Sequence, residues 1–534
     1  MKEKTYVSTE TETDIWIQYK NGLSFQQSMG FSYKFPEYER FKCGDQWPPV
    51  TERTKALPRP VFNIISMFVS NKKSSVLNNN MKMVFSSAET GDNTDEYEMP
   101  EIREKAVKGA EQYTSYAQNL WFELGQDSLN DSCVEDAATN GTGILHYYWD
   151  YSVKGGKITP YSGALRGETI DALNFFVSNP HEADVQKQDW VIISSRMSVN
   201  AAKEIAKANG AAENVIELIR PDEDTADEGY DTARLEQQGS KNITMLTKYY
   251  RKNGSVYYSR STKNVVLVKD KCLTPISNVF TDNEIESETT VEPEYITLYP
   301  IAVFNWQKRK KCIFGHGEVE GIIPNQKAIN FNIGMMLLSV QDTGWPKMLV
   351  KPGALRQPVT NLPGEIITDY YTSGDGVKYM QPPNFSYIAI NLTDKIMDLS
   401  RSTSGVTEVT TGEQLGANMA ASAIIALQNQ AKLPIDNIQK RFYRTIKNVG
   451  RIGEQFFKTY YSMERSVVKK EVGDSQEAYL FRGTDYADVD FDLIIDVGAS
   501  STYSEALGQA TLDKMYDKGD IDVDAYIELS PPNV

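Results

Sequence analysis

The segment from 436 to 460 limits the fold of this 534-residue chain more than any other. On a helix each residue turns by about 100°, so with Lys440 at zero Arg444 falls at about 40°, Lys447 at about 340°, Arg451 at about 20° and Lys458 at about 0°. Five cations therefore share one face, with no acid among them. Ile438, Phe442, Val449, Phe456 and Tyr460 fall on the opposite face. Such a helix needs an extended core to cover its apolar side. Its cationic side is a solvated face, a face paired with acids of a neighbour, or a stripe for phosphates. Just upstream, 417–432 reads as a small-residue helix with Ala417, Ala420, Ala421, Ala423 and Ala426, and it ends on Lys432. Leu433-Pro434 is expected to break it, because proline lacks an N–H and its ring clashes with the preceding turn.

The rest of the chain mixes two periodicities. Residues 1–35 read as a short helix or arm, 41–50 (FKCGDQWPPV) as a turn-rich knot, and 103–124 and 128–140 as helices, the second capped at Asn140-Gly141. Runs 143–151, 173–178 and 189–197 are aromatic and β-branched between Gly, Asn and Pro, and read as strands. A helix over 201–219 with a break near Gly210 follows, then a meander over 243–269 turning at Asn253-Gly254, and a strand over 295–306. From 316 the pattern is helical to 343, with Ile329, Ile333, Met336, Leu337 and Val340 in one stripe. Pro324 there sits in a first turn or makes a kink. Residues 347–383 return to strands and turns, 385–401 to a short helix, 402–416 to a Gly/Thr/Ser linker and 477–497 to strands. The reading is an α+β chain.

Net charge is −16, from 56 basic and 72 acidic residues, which excludes a basic coat over the whole protein. From 488 to 534 eleven acids face Lys514 and Lys518, a net of −9. The four cysteines form no CxxC pair, so a zinc ribbon or secreted disulfide scaffold is not expected, and folding in a reduced cytosol is. There is no apolar signal core at the N-terminus, and runs such as 333–340 are far shorter than the ~20 residues of a membrane span. Gly141-Thr142-Gly143 lacks the Gly-Lys-Ser/Thr of a phosphate loop. His146, His181 and His316 have no partner at ligand spacing, and no Gly-x-Ser-x-Gly elbow is present, so no catalytic residue, cofactor or metal is expected.

Several stretches taken together resemble a portal protein of tailed double-stranded-DNA phages. They are Gly44-Asp45-Gln46-Trp47 with the Asn63 helix, TNGTGILHYYWD at 139–150, LNFFVSNP and DWVIISSRMSV, GHGEVEGIIPNQKAIN from 315, and the small-residue helix running into the basic one. The resemblance implies a wing (1–315), a first stem helix (316–343), a strand-rich clip (344–404), a linker and second stem helix (405–432), a tunnel-loop region, long helix and wing return (433–500), and a short acidic helical crown (501–534). It implies a homododecameric ring at one capsid vertex, assembled in the host cytoplasm, that passes DNA during packaging and ejection. Its partners would be the major capsid protein, the terminase large subunit and the head–tail adaptor, with no membrane and no enzymatic activity. The alanines above would pack the stem. Lys432, Lys440, Arg444, Lys447, Arg451 and Lys458 would meet DNA or, as the favoured version, an acidic face of the adjacent subunit. The alternatives are a carboxylate-based polysaccharide hydrolase or another virion component.

Overall fold

A computed structural model describes residues 7–8, 13–78, 81–87, 100–156, 160–222, 242–275, 296–345, 347–360, 366–371, 376–380, 387–405, 421–470 and 476–496. It divides into two compact units, one of Met1–Glu39, Val69–Glu320 and Lys432–Val534, the other of Arg40–Phe68 and Gly321–Ala431. Arg40–Phe68 groups with the second unit, apart from the segments that precede and follow it.

In chain order the elements begin with β1 (Val7–Ser8), α1 (Asp14–Met29), α2 (Phe31–Lys42), α3 (Ile64–Leu77), β2 (Lys82–Ser87), α4 (Pro100–Leu124) and α5 (Gln126–Asn140). Next come β3 (Thr142–Gly155), β4 (Tyr161–Ile170), β5 (Phe175–Val177), β6 (Trp190–Ser198), α6 (Val199–Ala208), α7 (Glu213–Ile216), β7 (Asn242–Lys252), β8 (Ser255–Ser261), β9 (Val265–Cys272) and β10 (Ile301–Asn305). The last are α8 (Val319–Gly344), β11 (Met348–Val350), β12 (Val377–Tyr379), α9 (Tyr387–Ser404), α10 (Ala421–Tyr460), β13 (Arg465–Lys470), β14 (Gln476–Phe481) and β15 (Phe491–Asp496).

The first unit is built on a six-stranded antiparallel sheet, β1-β9-β8-β7-β6-β5. Side chains alternate across a strand, and β7 shows it. Ile243 and Met245 join Val199, Ala202 and Ala206 of α6 in one core, while Leu246 joins Trp16 and Tyr19 of α1 in another. Both sheet faces are therefore covered. Helix α1 starts where the Thr13 hydroxyl accepts from Trp16 N (3.2 Å) and stops at Gly30, whose φ of 75° suits glycine. The β7–β8 turn has φ 53° at Asn253 and 81° at Gly254, the left-handed pair a two-residue hairpin requires.

A second sheet, β10-β3-β4, pairs Ile301 with His146 and Ile170 with Ile144. Strand β4 has no counterpart in the sequence reading. Its glycines mask the strand pattern, and the structure explains them: a Cβ at Gly163 would meet the Trp149 indole at 2.3 Å. The strand expected at 295–306 is confined to β10, as residues 296–300 run irregularly.

Helix α10 runs unbroken for 40 residues with Pro434 inside it, so the expected break at Leu433-Pro434, and with it a loop at that point, is absent. One missing N–H costs a single backbone bond, and the amphipathic packing that follows outweighs it. From Ile435 on, Ile438, Phe442, Ile446, Val449, Ile452 and Phe456 are buried.

In the second unit, Gln46, Asn63, Gln326 and Asn330 form an amide network. Asn330 Nδ2 donates to Gln46 Oε1 (2.6 Å), Gln46 Nε2 to Asn63 Oδ1 (3.1 Å), and Gln326 Nε2 to Asn330 Oδ1 (3.0 Å). Gln326 also spans the backbone at Phe62 and Ile64, taking a bond from Ile64 N at 2.9 Å. This is why Arg40–Phe68 travels with α8. Pro324 lies inside α8, and β11 and β12 form a two-stranded ribbon.

Candidate DNA-facing and subunit-facing surfaces

On α10, Lys440, Arg444 and Arg451 are exposed and Lys447 is half-buried. Among the described residues none of the four makes an ion pair. The helix is held from beneath: Phe442 meets Phe304 edge-on at 5.2 Å, Arg441 donates to Trp306 O (2.6 Å) and the Thr445 hydroxyl to Val303 O (3.3 Å). The stripe is thus fixed outward by packing on β10.

Lys458 departs from the stripe. It is 5% exposed and pairs with Glu454 at 3.1 Å and, more loosely, with Asp490 at 4.0 Å. Burial raises the Glu454 carboxyl above its ordinary range despite the nearby Lys458 and Arg451 charges. The end of α10 enters an aromatic cluster in which Phe457 and Tyr461 meet Tyr113, Tyr116 and Phe481, so a face exposed at Arg444 is enclosed at Lys458. Helical phase identifies a face but not where along the helix that face becomes covered. The stripe outside the core holds four cations rather than five, with Lys447 half-buried, and an acid, Glu454, stands at its edge.

The side chains of Lys432, Ala421, Ala423 and Ala426 lie outside the described residues, although α10 includes all four positions. Ala417, Ala420 and residues 497–534 also lie outside them.

The sequence reading missed a joint in the first unit between residues 138–143 and 315–318. A Cβ on Gly141 would lie 2.6 Å from Gly315 O, and one on Gly317 would lie 2.3 Å from Thr139 O. Gly315 N donates to the Thr142 hydroxyl (2.8 Å), and Glu318 N to Ala138 O (2.7 Å). The glycines of TNGTG and GHG allow this backbone approach. Next to the joint, buried Lys72 and Glu318 pair at 2.5 Å, and Trp306 Nε1 reaches Glu318 at 3.2 Å. Glu320 gathers His316 (3.0 Å), Lys34 (3.8 Å) and Arg309 (3.9 Å). Burial opposes ionisation of Glu320, but hydrogen bonds from His316 and Tyr38 prevail and hold its carboxyl below the usual glutamate range. The repeated glycines and paired acids were the available signal, yet their pairing across more than 170 residues of chain is a tertiary fact.

In the second unit α8 begins buried at Ile322, Ile323 and Ile329 and ends exposed. Phe331 is 59% and Val340 68% accessible, with Met335 and Leu337 also exposed. The ribbon adds exposed Leu349, Val350 and Tyr379.

A family model described as phage P22-like portal protein matches residues 34–515. The chain belongs to this portal family. No curated protein sequence matches it. Among solved structures, a chain from the virion of a native gene transfer agent (GTA) particle covers 96% of this chain and 99% of its own. The two are 10% identical, with a TM-score of 0.37.

Portal proteins of this family are structural rather than enzymatic, self-assemble, and occupy the capsid vertex, which places this portal protein in the virion. No described helix is long and apolar enough to cross a membrane. Among the described residues no group of three or more His, Cys, Asp or Glu could hold a metal ion.

Proposed function

We propose that this portal protein forms a closed dodecameric ring, assembled in the host cytoplasm, that conducts double-stranded DNA into the capsid and later out of it. Its rim would dock the terminase large subunit during packaging and the head–tail adaptor afterwards, and its body the major capsid protein. It catalyses nothing itself. The observation that carries the reading is the family match over 34–515. The exposed apolar end of α8 supports it, since contiguous apolar surface on one chain calls for cover by another. In this reading α8 and the start of α10 are stem helices, with Ala417, Ala420, Ala421, Ala423 and Ala426 at close contacts. Residues 344–404 are the clip and 501–534 the crown. The strongly negative balance suits a conduit that must not hold its cargo tightly.

The test is the assembly's mass by light scattering together with negative-stain averages. A ring with an axial hole is expected, and a monomer at working concentration overturns the proposal. Lys440, Arg444, Lys447 and Arg451 would pair with acids of the adjacent subunit in preference to DNA. Replacing Arg444 and Arg451 with Gln then weakens rings. Intact rings with poor packaging assign the stripe to DNA instead.

A further inference from the structure

The first unit contains a cleft of about 330 Å³, away from the stripe on α10. Its walls are aromatic. Trp149 stacks on Tyr460 at 4.8 Å, Tyr151 approaches Tyr460 at 6.4 Å, and Tyr148, Tyr249 and Tyr258 also line it. Tyr151 is 60% exposed, so the cleft opens to solvent. Two cations share it. Arg260 lies over the Tyr258 ring at 5.8 Å with its buried Nε unpartnered, and Lys271 is exposed. Neither forms an ion pair among the described residues. In a chain of net charge −16, two cations set among tyrosines with no carboxylate on either one are conspicuous.

The cleft also meets a stretch of sheet edge that no described residue pairs. Strand β3 pairs with β10 only as far as His146↔Ile301, and the last bond on that side runs from Tyr147 N to Pro300 O. On its other side β3 stays paired with β4 out to Gly155↔Tyr161. Among the described residues, nothing pairs with the β10-side edge of β3 beyond Tyr147. Backbone groups alternate between the two neighbours of a strand, so the Trp149 amide points to the same side as that of Tyr147. Tyr148 and Trp149 both line the cleft although consecutive side chains point to opposite faces, which places the cleft at the strand's edge rather than on one face.

Such an edge takes an extended backbone, cations take carboxylates, and an exposed ring takes another ring. We propose that this cleft docks an extended acidic segment of a separate protein, which adds to that edge of β3, places an aromatic side chain against the exposed Tyr151 ring, and sets carboxylates on Arg260 and Lys271. A mononucleotide would use the rings and cations but leave the strand edge idle, so the edge favours a peptide. The proposal does not depend on how the stripe on α10 is used.

The probe is a labelled, capped octapeptide alternating aspartate with valine around one central tyrosine, titrated into the full-length protein by fluorescence anisotropy. Saturable binding is expected, weakened about tenfold by R260Q together with K271Q. Backbone N-methylation of the peptide should abolish binding, because it removes the edge hydrogen bonds. Tyr151→Ala, at an exposed position, should weaken binding while the thermal midpoint stays put, so the test survives if the double variant misfolds. No saturation, equal binding of a peptide with lysine for aspartate, indifference to N-methylation, or displacement by deoxyadenosine monophosphate at similar concentration would each overturn the proposal.

Discussion

In the first unit the sheet β1-β9-β8-β7-β6-β5 has α6 against one face and α1 against the other, and the unit fully encloses large side chains such as Trp306, Tyr19 and Tyr113. In the second unit α8 carries Phe331, Met335, Leu337 and Val340 in the open, and β11–β12 exposes Leu349, Val350 and Tyr379. Although the second unit is the smaller, most of the exposed large apolar side chains among the described residues belong to it. The first unit encloses two cores of its own, whereas the second closes its amide network and leaves a larger share of its apolar side chains exposed. Fold stability and assembly should therefore respond to different substitutions.

The largest expected effect separates Lys458 from the rest of its helical face. Lys458→Ala leaves the Glu454 carboxylate buried without its cation and should cost about 3–5 kcal/mol in chemical denaturation. Arg444→Gln or Arg451→Gln should stay within about 0.5 kcal/mol of the parent monomer. Equal effects at all three positions would erase the distinction. Next in size is Gly143→Ala. Its Cβ would lie 2.0 Å from Cys133 O, a backbone atom that cannot swing away. A loss of roughly 3 kcal/mol or more is expected, read as a lower denaturation midpoint.

The comparison is reversed for Phe331→Ser with Val340→Ser. Monomer stability should hold within about 0.5 kcal/mol, because both side chains are already exposed, while ring yield by light scattering should fall. A destabilised monomer with normal rings would show that the second unit does use these residues internally. A smaller effect concerns Glu320, whose carboxyl is depressed in the fold. A depressed acid stabilises above its unfolded pKa and loses that contribution as pH falls through the folded one. Glu320→Gln should therefore lower stability at pH 7, and the gap from the parent should close below the carboxylate range. The smallest change is a gain. Gly321 lies in α8 with nothing within 4 Å of an added Cβ, so Gly321→Ala should stabilise by about 0.5–1 kcal/mol. A loss there would reveal cover on that face of α8.

Much of the architecture was legible locally. The aromatic and β-branched runs became β3, β5 and β6, Asn253-Gly254 became the β7–β8 hairpin, and the break near Gly210 separated α6 from α7. These features are set by residues within a few positions of one another. Misreadings came where distant chain intervenes. β4 was hidden because Gly163 and Gly167 yield space to Trp149 and Tyr147. The local rule that ends a helix at Pro434 ignores the packing that carries α10 past it.

By itself the sequence determined the α+β alternation, the cationic and apolar faces of α10, the acidic balance and the likeness to phage portals, all of which follow from residue type and spacing. The tertiary structure decided the rest. Burial depends on what arrives from elsewhere in the chain, so Lys458 is enclosed and Arg444 is not, though they share one helical face. The same reason explains why the glycines of 141–143 and 315–317 meet, why Arg40–Phe68 belongs with α8, and why β3 outruns β10 beside the aromatic cleft. Periodicity fixes direction around an element's axis, but only the packed chain fixes what stands opposite.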